Sequence, residues 1–177
     1  MKRVFVLSPL APIKMPPGQN DISMESNLEF AGRCMLNCIA RGESPFPPHK
    51  LYTQVLDDLL PNERETGIRC GLVWLAASEV IAVYVDRGIS SGMRQELEAA
   101  VRLYRESQRH VTSGQGGEQD TRGMAQSIFD AFRSTDFRRL DGGPAPSWQW
   151  LHEQNVPHLR DVDGSACPIC FGPAAPL

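Results

Sequence analysis

Glu96 and Glu98 stand two residues apart in the run SSGMRQELEAA, and helix geometry gives them different roles. If the residues after Ser90 form a helix, each position turns by about 100° from the last. Arg94, Glu98, Arg102 and Arg105 then share one face, where Glu98 pairs with an arginine four residues away. Met93, Leu97, Ala100, Val101, Leu103 and Tyr104 form the opposing apolar stripe. Glu96 falls on the flank of that stripe. A carboxylate turned inward, about one turn into a helix that starts at the C-terminal end of a strand, sits where open α/β sheets bind ligands. The plain alternative is a partly buried Glu paired with Arg87 or Arg69.

Other residues gather near it in the expected fold. Asp86 ends the strand that precedes this helix, as a ligand-binding carboxylate or as a turn-former before Gly88. Ser90 and Ser91 are N-cap residues, and Gly92 lets a ligand approach the backbone. Ser8 follows the first strand. His49 comes after three prolines in SPFPPH, which stiffen a loop and present the imidazole at the surface. Tyr52 and Gln54 are weaker candidates. In the tail, His152 and His158 precede Cys167 and Cys170, a Cys-x-x-Cys pair with two histidines that would suit a structural zinc knuckle. The competing reading is a tail with two thiols.

These residues need a scaffold. Val80 to Val85 is an unbroken apolar run, the pattern of a strand covered on both faces. Arg3 to Leu7 reads as another strand, followed by a Pro- and Gly-rich loop from Ser8 to Asn20 without a dinucleotide fingerprint. A helix is expected from Met24 to Ala40, with Leu28, Ala31, Cys34, Met35, Cys38 and Ile39 inward and Gly42 as its stop. Leu51 to Leu60 reads as a short helix. A longer helix spans Glu63 to Ala77 and packs through Ile68, Leu72, Trp74 and Leu75. His110 to Thr112 is expected as a last short strand, Ser113 to Gln119 as a linker, and Gly123 to Arg133 as an amphipathic helix. Alternating strands and helices imply a parallel sheet. The expected fold is α/β, a three-layer Rossmann- or flavodoxin-like domain over residues 1–112. A helical and irregular extension over 113–177 follows it.

The 177 residues suffice for one domain with a core, and 41% apolar and 22% charged residues are ordinary for a globular chain. A net charge of −3 gives no reason to expect a nucleic-acid or membrane partner. No apolar run is long enough to span a bilayer, and Pro9, Pro12 and Lys14 interrupt the first one too early for a signal peptide. The expected location is the cytoplasm. Five cysteines, three of them inside helical patterns, read as core thiols rather than a disulfide framework.

The order KRVFVLSP, SPFPPHKLYTQ, IAVYVD and GISSGMRQELEAA resembles the nucleoside 2-deoxyribosyltransferase superfamily, over about Lys2 to Tyr104. The resemblance is to a poorly characterised bacterial and phage group within it. It implies that Glu96 attacks the anomeric carbon of a nucleoside or nucleotide and holds the sugar until a second base or water takes it. Ser8, His49, Asp86, Ser90, Ser91 and Gly92 would then bind substrate, the serines and Gly92 offering donors to a 5′-phosphate. Two positions depart from the superfamily: Ser90 and Gly71 stand where aspartates are common. The resemblance implies no cofactor for catalysis, a nucleoside or nucleotide as partner, and a homo-oligomer, since the superfamily often completes its site across subunits. A non-catalytic nucleotide-binding or sensing module is the alternative. An interaction protein docking through its tail is a third reading.

Overall fold

The computed structural model describes residues 1–112, 123–124, 126–128, 130–131, 134–144, 146, 150 and 153, with the backbone alone over 103–112. Four strands form one sheet: β1 (Arg3–Leu7), β2 (Ser44–Phe46), β3 (Val80–Tyr84) and β4 (Asp136–Arg138). Their order is β2-β1-β3-β4, and every pairing is parallel. The helices are α1 (Met24–Ala40), α2 (Pro48–Tyr52), α3 (Pro61–Ala76) and α4 (Ser91–Thr112).

Alternation along the two central strands divides the core. Val4, Val6, Val80, Ala82 and Tyr84 face Phe30, Cys34 and Cys38 of α1. Phe5, Leu7, Ile81, Val83 and Val85 face Leu75 of α3, Met93, Leu97, Ala100 and Val101 of α4, and Ile128 and Ala131. Helices therefore cover both sides, the three-layer α/β architecture expected from the unbroken apolar runs. Each fully buried Leu or Ile in these layers contributes roughly 1.5–3 kcal/mol over exposure.

Several elements differ from expectation. Ser44–Phe46 is a strand, not part of a loop. It lies at the sheet edge, where Ser44 N–H reaches Lys2 O at 2.8 Å and the missing N–H of Pro45 leaves no central ladder broken. The next helix starts at Pro48 and ends at Tyr52; Thr53 to Leu60, expected to be helical, is a series of turns. Pro48 suits a first helical turn because its absent N–H would have no partner there. His110 to Thr112 does not form a strand but ends α4. The run RESQR before it favours helix, and no Gly or Pro intervenes. The last strand is instead β4, which comes from beyond residue 112 and joins the same sheet. Within α1, Asn27 and Phe30 are buried, whereas Ile39 is 51% exposed. Trp74 is also half exposed, stacked on Phe46 with centroids 4.6 Å apart. Gly42 closes α1 with φ 75°, and Gly88 turns the chain after β3 with φ 75°, both in the region other residues avoid.

A polar knot ties β4 to α1. Arg138 donates to Glu43 at 2.6 and 2.9 Å, to Asp136 at 2.8 Å and to Cys38 Sγ at 3.2 Å. Tyr84, fully buried, donates its hydroxyl to Asn37 Oδ1 at 2.8 Å or Cys34 O at 3.1 Å. Cys34 and Cys38 are buried free thiols, as expected, and burial raises the pKa of both. Among the described residues no helix is long and apolar enough to cross a membrane.

Candidate functional site

From β1 the chain runs through α1 to β2 on one side; from β3 it runs through α4 to β4 on the other. The strand order therefore reverses between β1 and β3, and the connections leaving their carboxyl ends diverge. Open α/β sheets bind ligands in the crevice this creates. Here it holds a cleft of about 670 Å³, its mouth included. Ser8 follows β1, His49 follows β2, and Ser90, Gly92 and Glu96 follow β3, and all line this cleft. The end of α2, the turns after it and the first half of α3 add Tyr52, Asp58, Glu63 and Arg64.

Glu96 sits where helix phase places it. Leu97 and Ala100 are buried beneath it, Glu98 is exposed, and Glu96 is partly buried against the cleft. No hydrogen-bond partner for its carboxyl group lies among the described residues. Burial pushes its pKa up to about 7; Arg64 opposes that rise and Asp58 adds to it. The group is thus divided between carboxylate and acid at neutral pH, able to attack as one or donate as the other. The pairing with Arg87 or Arg69 does not occur: Arg87 instead donates to Asn27 Oδ1 at 2.7 Å and Ser26 Oγ at 3.1 Å, with its guanidinium over the Phe30 ring. Asn27 in turn donates to Leu10 O and Ala11 O at 3.2 and 2.7 Å, which fixes the loop forming one cleft wall.

His49 requires a correction. It is not displayed on a surface loop: it lies in α2 with 9% of its surface exposed, and its Nε2 stands 3.0 Å from Ser8 Oγ. The prolines direct it inward because Pro48 opens a helix rather than extending a loop. Burial, with a smaller effect from Lys50, lowers its pKa to about 4, so the imidazole is neutral at pH 7. Ser8 is buried as well, at 4% exposure.

The end of the β3 connection is divided. Ser90 Oγ accepts the Met93 N–H at 3.2 Å and so caps α4, while still lining the cleft. Gly92 lines the cleft beside Arg64: a Cβ there would lie 3.1 Å from Arg64 Nη2, so the guanidinium would have to shift by a few tenths of an ångström. Ser91 is exposed and outside the cleft lining. Asp86 is also outside the lining. Its Oδ1 accepts the N–H groups of Leu140 and Asp141 at 2.8 and 3.3 Å, tying β3 to the turn after β4. Gly71 is buried against Phe5 and against Pro48, which lines the cleft, and is itself outside the lining. Gln54 does not line the cleft, whereas Tyr52 does and accepts the Trp74 Nε1–H at 2.8 Å.

Sequence reasoning missed Arg64 and Asp58. They form an ion pair, and Gln95 Oε1 accepts from Arg64 Nε at 3.1 Å and Nη2 at 2.9 Å. This holds the guanidinium between α3 and the start of α4. The signal was available: Arg64 precedes Gly71 and Leu75 at helical spacing, on the inward side of α3. The zinc reading rests on His152, His158, Cys167 and Cys170, which lie outside the described residues. Among the described residues no cluster of three or more His, Cys, Asp or Glu is placed to hold a metal.

Residues 2–110 match the family described as a domain of unknown function, DUF7768, and the chain belongs to that family. No curated protein and no solved structure matches the chain.

Proposed function

We propose that this DUF7768 chain cleaves or transfers at the N-glycosidic bond of a nucleoside-type substrate, with Glu96 as nucleophile. The observation that carries this reading is Glu96 itself: a carboxyl group with no hydrogen-bond partner among the described residues, raised to about 7, in a cleft at the strand-order reversal. A carboxylate freed from competing donors is nucleophilic, and a glycosyl ester is the intermediate that carboxylates form at an anomeric carbon. The resemblance of the Ser-Gly-x-x-x-Glu run ending at Glu96 to the nucleoside 2-deoxyribosyltransferase superfamily supports the same role. Ser8 and His49 are placed to touch the bound substrate, and the neutral imidazole can accept a proton from incoming water.

The test is release of free base from a panel of nucleosides and nucleotides by wild type and by Glu96→Gln. Wild type should turn over at least one of them. Glu96→Gln should keep the fold and lose turnover by orders of magnitude. A second reading, a nucleotide-binding or sensing module, is favoured by Ser90 and Gly71 at positions where the superfamily commonly has aspartates. It expects binding without base release, and a change in affinity alone for Glu96→Gln.

A further inference from the structure

The charges around the cleft bear on which base it accepts, granted the glycosidic reading above. Among the described residues its walls carry the carboxyl groups of Asp58, Glu63 and Glu96, against one guanidinium, Arg64. Arg64 is already engaged by Asp58 and by Gln95. Glu63 Oε2 accepts the Asp57 N–H at 2.6 Å. With Arg64 offset by Asp58, the charge left over among these groups is negative. A phosphate would add to this negative balance, and Ser90 Oγ already takes one of the first-turn N–H groups of α4, that of Met93. An anionic ligand adds repulsion here, whereas a cationic one offsets charge already present.

The leaving base gives a second, independent constraint. A neutral base departs readily only when a donor protonates it. Glu96 cannot attack as a carboxylate and donate a proton in the same step. Asp58 is engaged by Arg64, and His49 is neutral at pH 7, with Nε2 turned to Ser8. The imidazole and carboxyl groups lining the cleft therefore suit a base that leaves without a proton.

We infer that the cleft takes an N-ribosyl pyridinium, a nucleoside joined through a positively charged ring nitrogen and carrying no 5′-phosphate. A Glu96 carboxylate oxygen bonds to C1′ as the C1′–N bond breaks. The electron pair returns to the ring nitrogen, and the base leaves neutral. Water then adds to C1′, the ester C1′–O bond breaks, the Glu96 carboxylate is restored, and one proton passes to solvent. Positive charge moves from the base to the sugar as the C1′–N bond breaks, beside the same carboxylates, and is neutralised when the Glu96 ester forms, so their attraction is not lost at the transition state. Tyr52 in the lining adds an aromatic group suited to a cationic ring.

The experiment measures base release by the full chain from nicotinamide riboside, from nicotinamide mononucleotide, and from uncharged adenosine, uridine and their 2′-deoxy forms. The expected result is a kcat/KM for nicotinamide riboside at least tenfold above all the others. Asp58→Asn should narrow that preference. Equal or faster cleavage of an uncharged nucleoside, or of the mononucleotide, overturns this inference and leaves the glycosidic reading standing. Absence of base release from every substrate overturns both.

Discussion

Ser8 Oγ and His49 Nε2 lie 3.0 Å apart at the carboxyl ends of two neighbouring strands, buried together beneath the cleft. The contact joins β1 to α2, so each residue fixes the position of the other. His49→Ala would leave the Ser8 hydroxyl without that partner and open a void. The expected loss is about 2 kcal/mol of stability, measured by urea denaturation. A change of only a few tenths would mean that His49 moves freely.

Glu96 and His49 give opposite pH dependence to stability. The Glu96 pKa is raised from 4.5 to about 7, so the folded state binds more protons than the unfolded one in that window, and stability falls as pH rises through it. The His49 pKa is lowered from 6.5 to about 4, so the unfolded state binds more protons, and stability falls as pH drops through that window. The two slopes oppose each other between pH 4.5 and 6.5. Glu96→Gln should therefore gain about 2 kcal/mol above pH 7 and become visibly acid-sensitive below 6.5. Denaturation midpoints across pH would show it; parallel curves for wild type and variant would contradict it.

Glu98→Gln is the control for that substitution. Glu98 is exposed, and its expected effect is a few tenths of a kcal/mol with unchanged turnover.

Arg64 and Asp58 set the ionisation of Glu96 in opposite directions. Arg64→Gln should raise the Glu96 pKa further, and Asp58→Asn should lower it. Carboxyl carbon NMR titration of the purified variants reads both shifts. Movement in the same direction for both would mean that packing, not charge, dominates.

Much of the framework was legible because it depends on local pattern. The runs RVFVL and VIAVY announce central strands, and α1 follows from apolar spacing and a Gly stop. The phase of α4 separated Glu96 from Glu98 without any tertiary information. β2 was hidden because its Pro45 argues against a strand unless the strand is known to lie at an edge. β4 was hidden because Asp-Phe-Arg has no apolar run, and Arg138 enters the interior through its pairing with Glu43 and Asp136. The inward turn of His49 depends on Ser8, a partner far away in the chain. The cleft's charge balance depends on Asp58 and Arg64 meeting α4, which no spacing reveals.

The Arg138–Glu43 pair is the least exposed of the ion pairs among the described residues, at 5% and 12% of side-chain surface. Glu43→Ala would leave the buried guanidinium with Asp136 as its remaining carboxylate partner and should cost roughly 3 kcal/mol, whereas removing both charges with Arg138→Met and Glu43→Leu should cost less. Thermal denaturation of the single and double variants decides this, and an additive double loss would contradict it.

Trimming the chain at Thr112 would have an effect that reaches beyond the missing residues. β4 covers one side of β3, and the N–H groups of Leu140 and Asp141 engage Oδ1 of Asp86. Without them, the backbone of Val80–Tyr84 would present an uncapped apolar edge to solvent. Bare edges of this kind recruit strands from other chains. A shortened protein of this kind would be expected to precipitate on expression, and its inactivity would say nothing about Glu96.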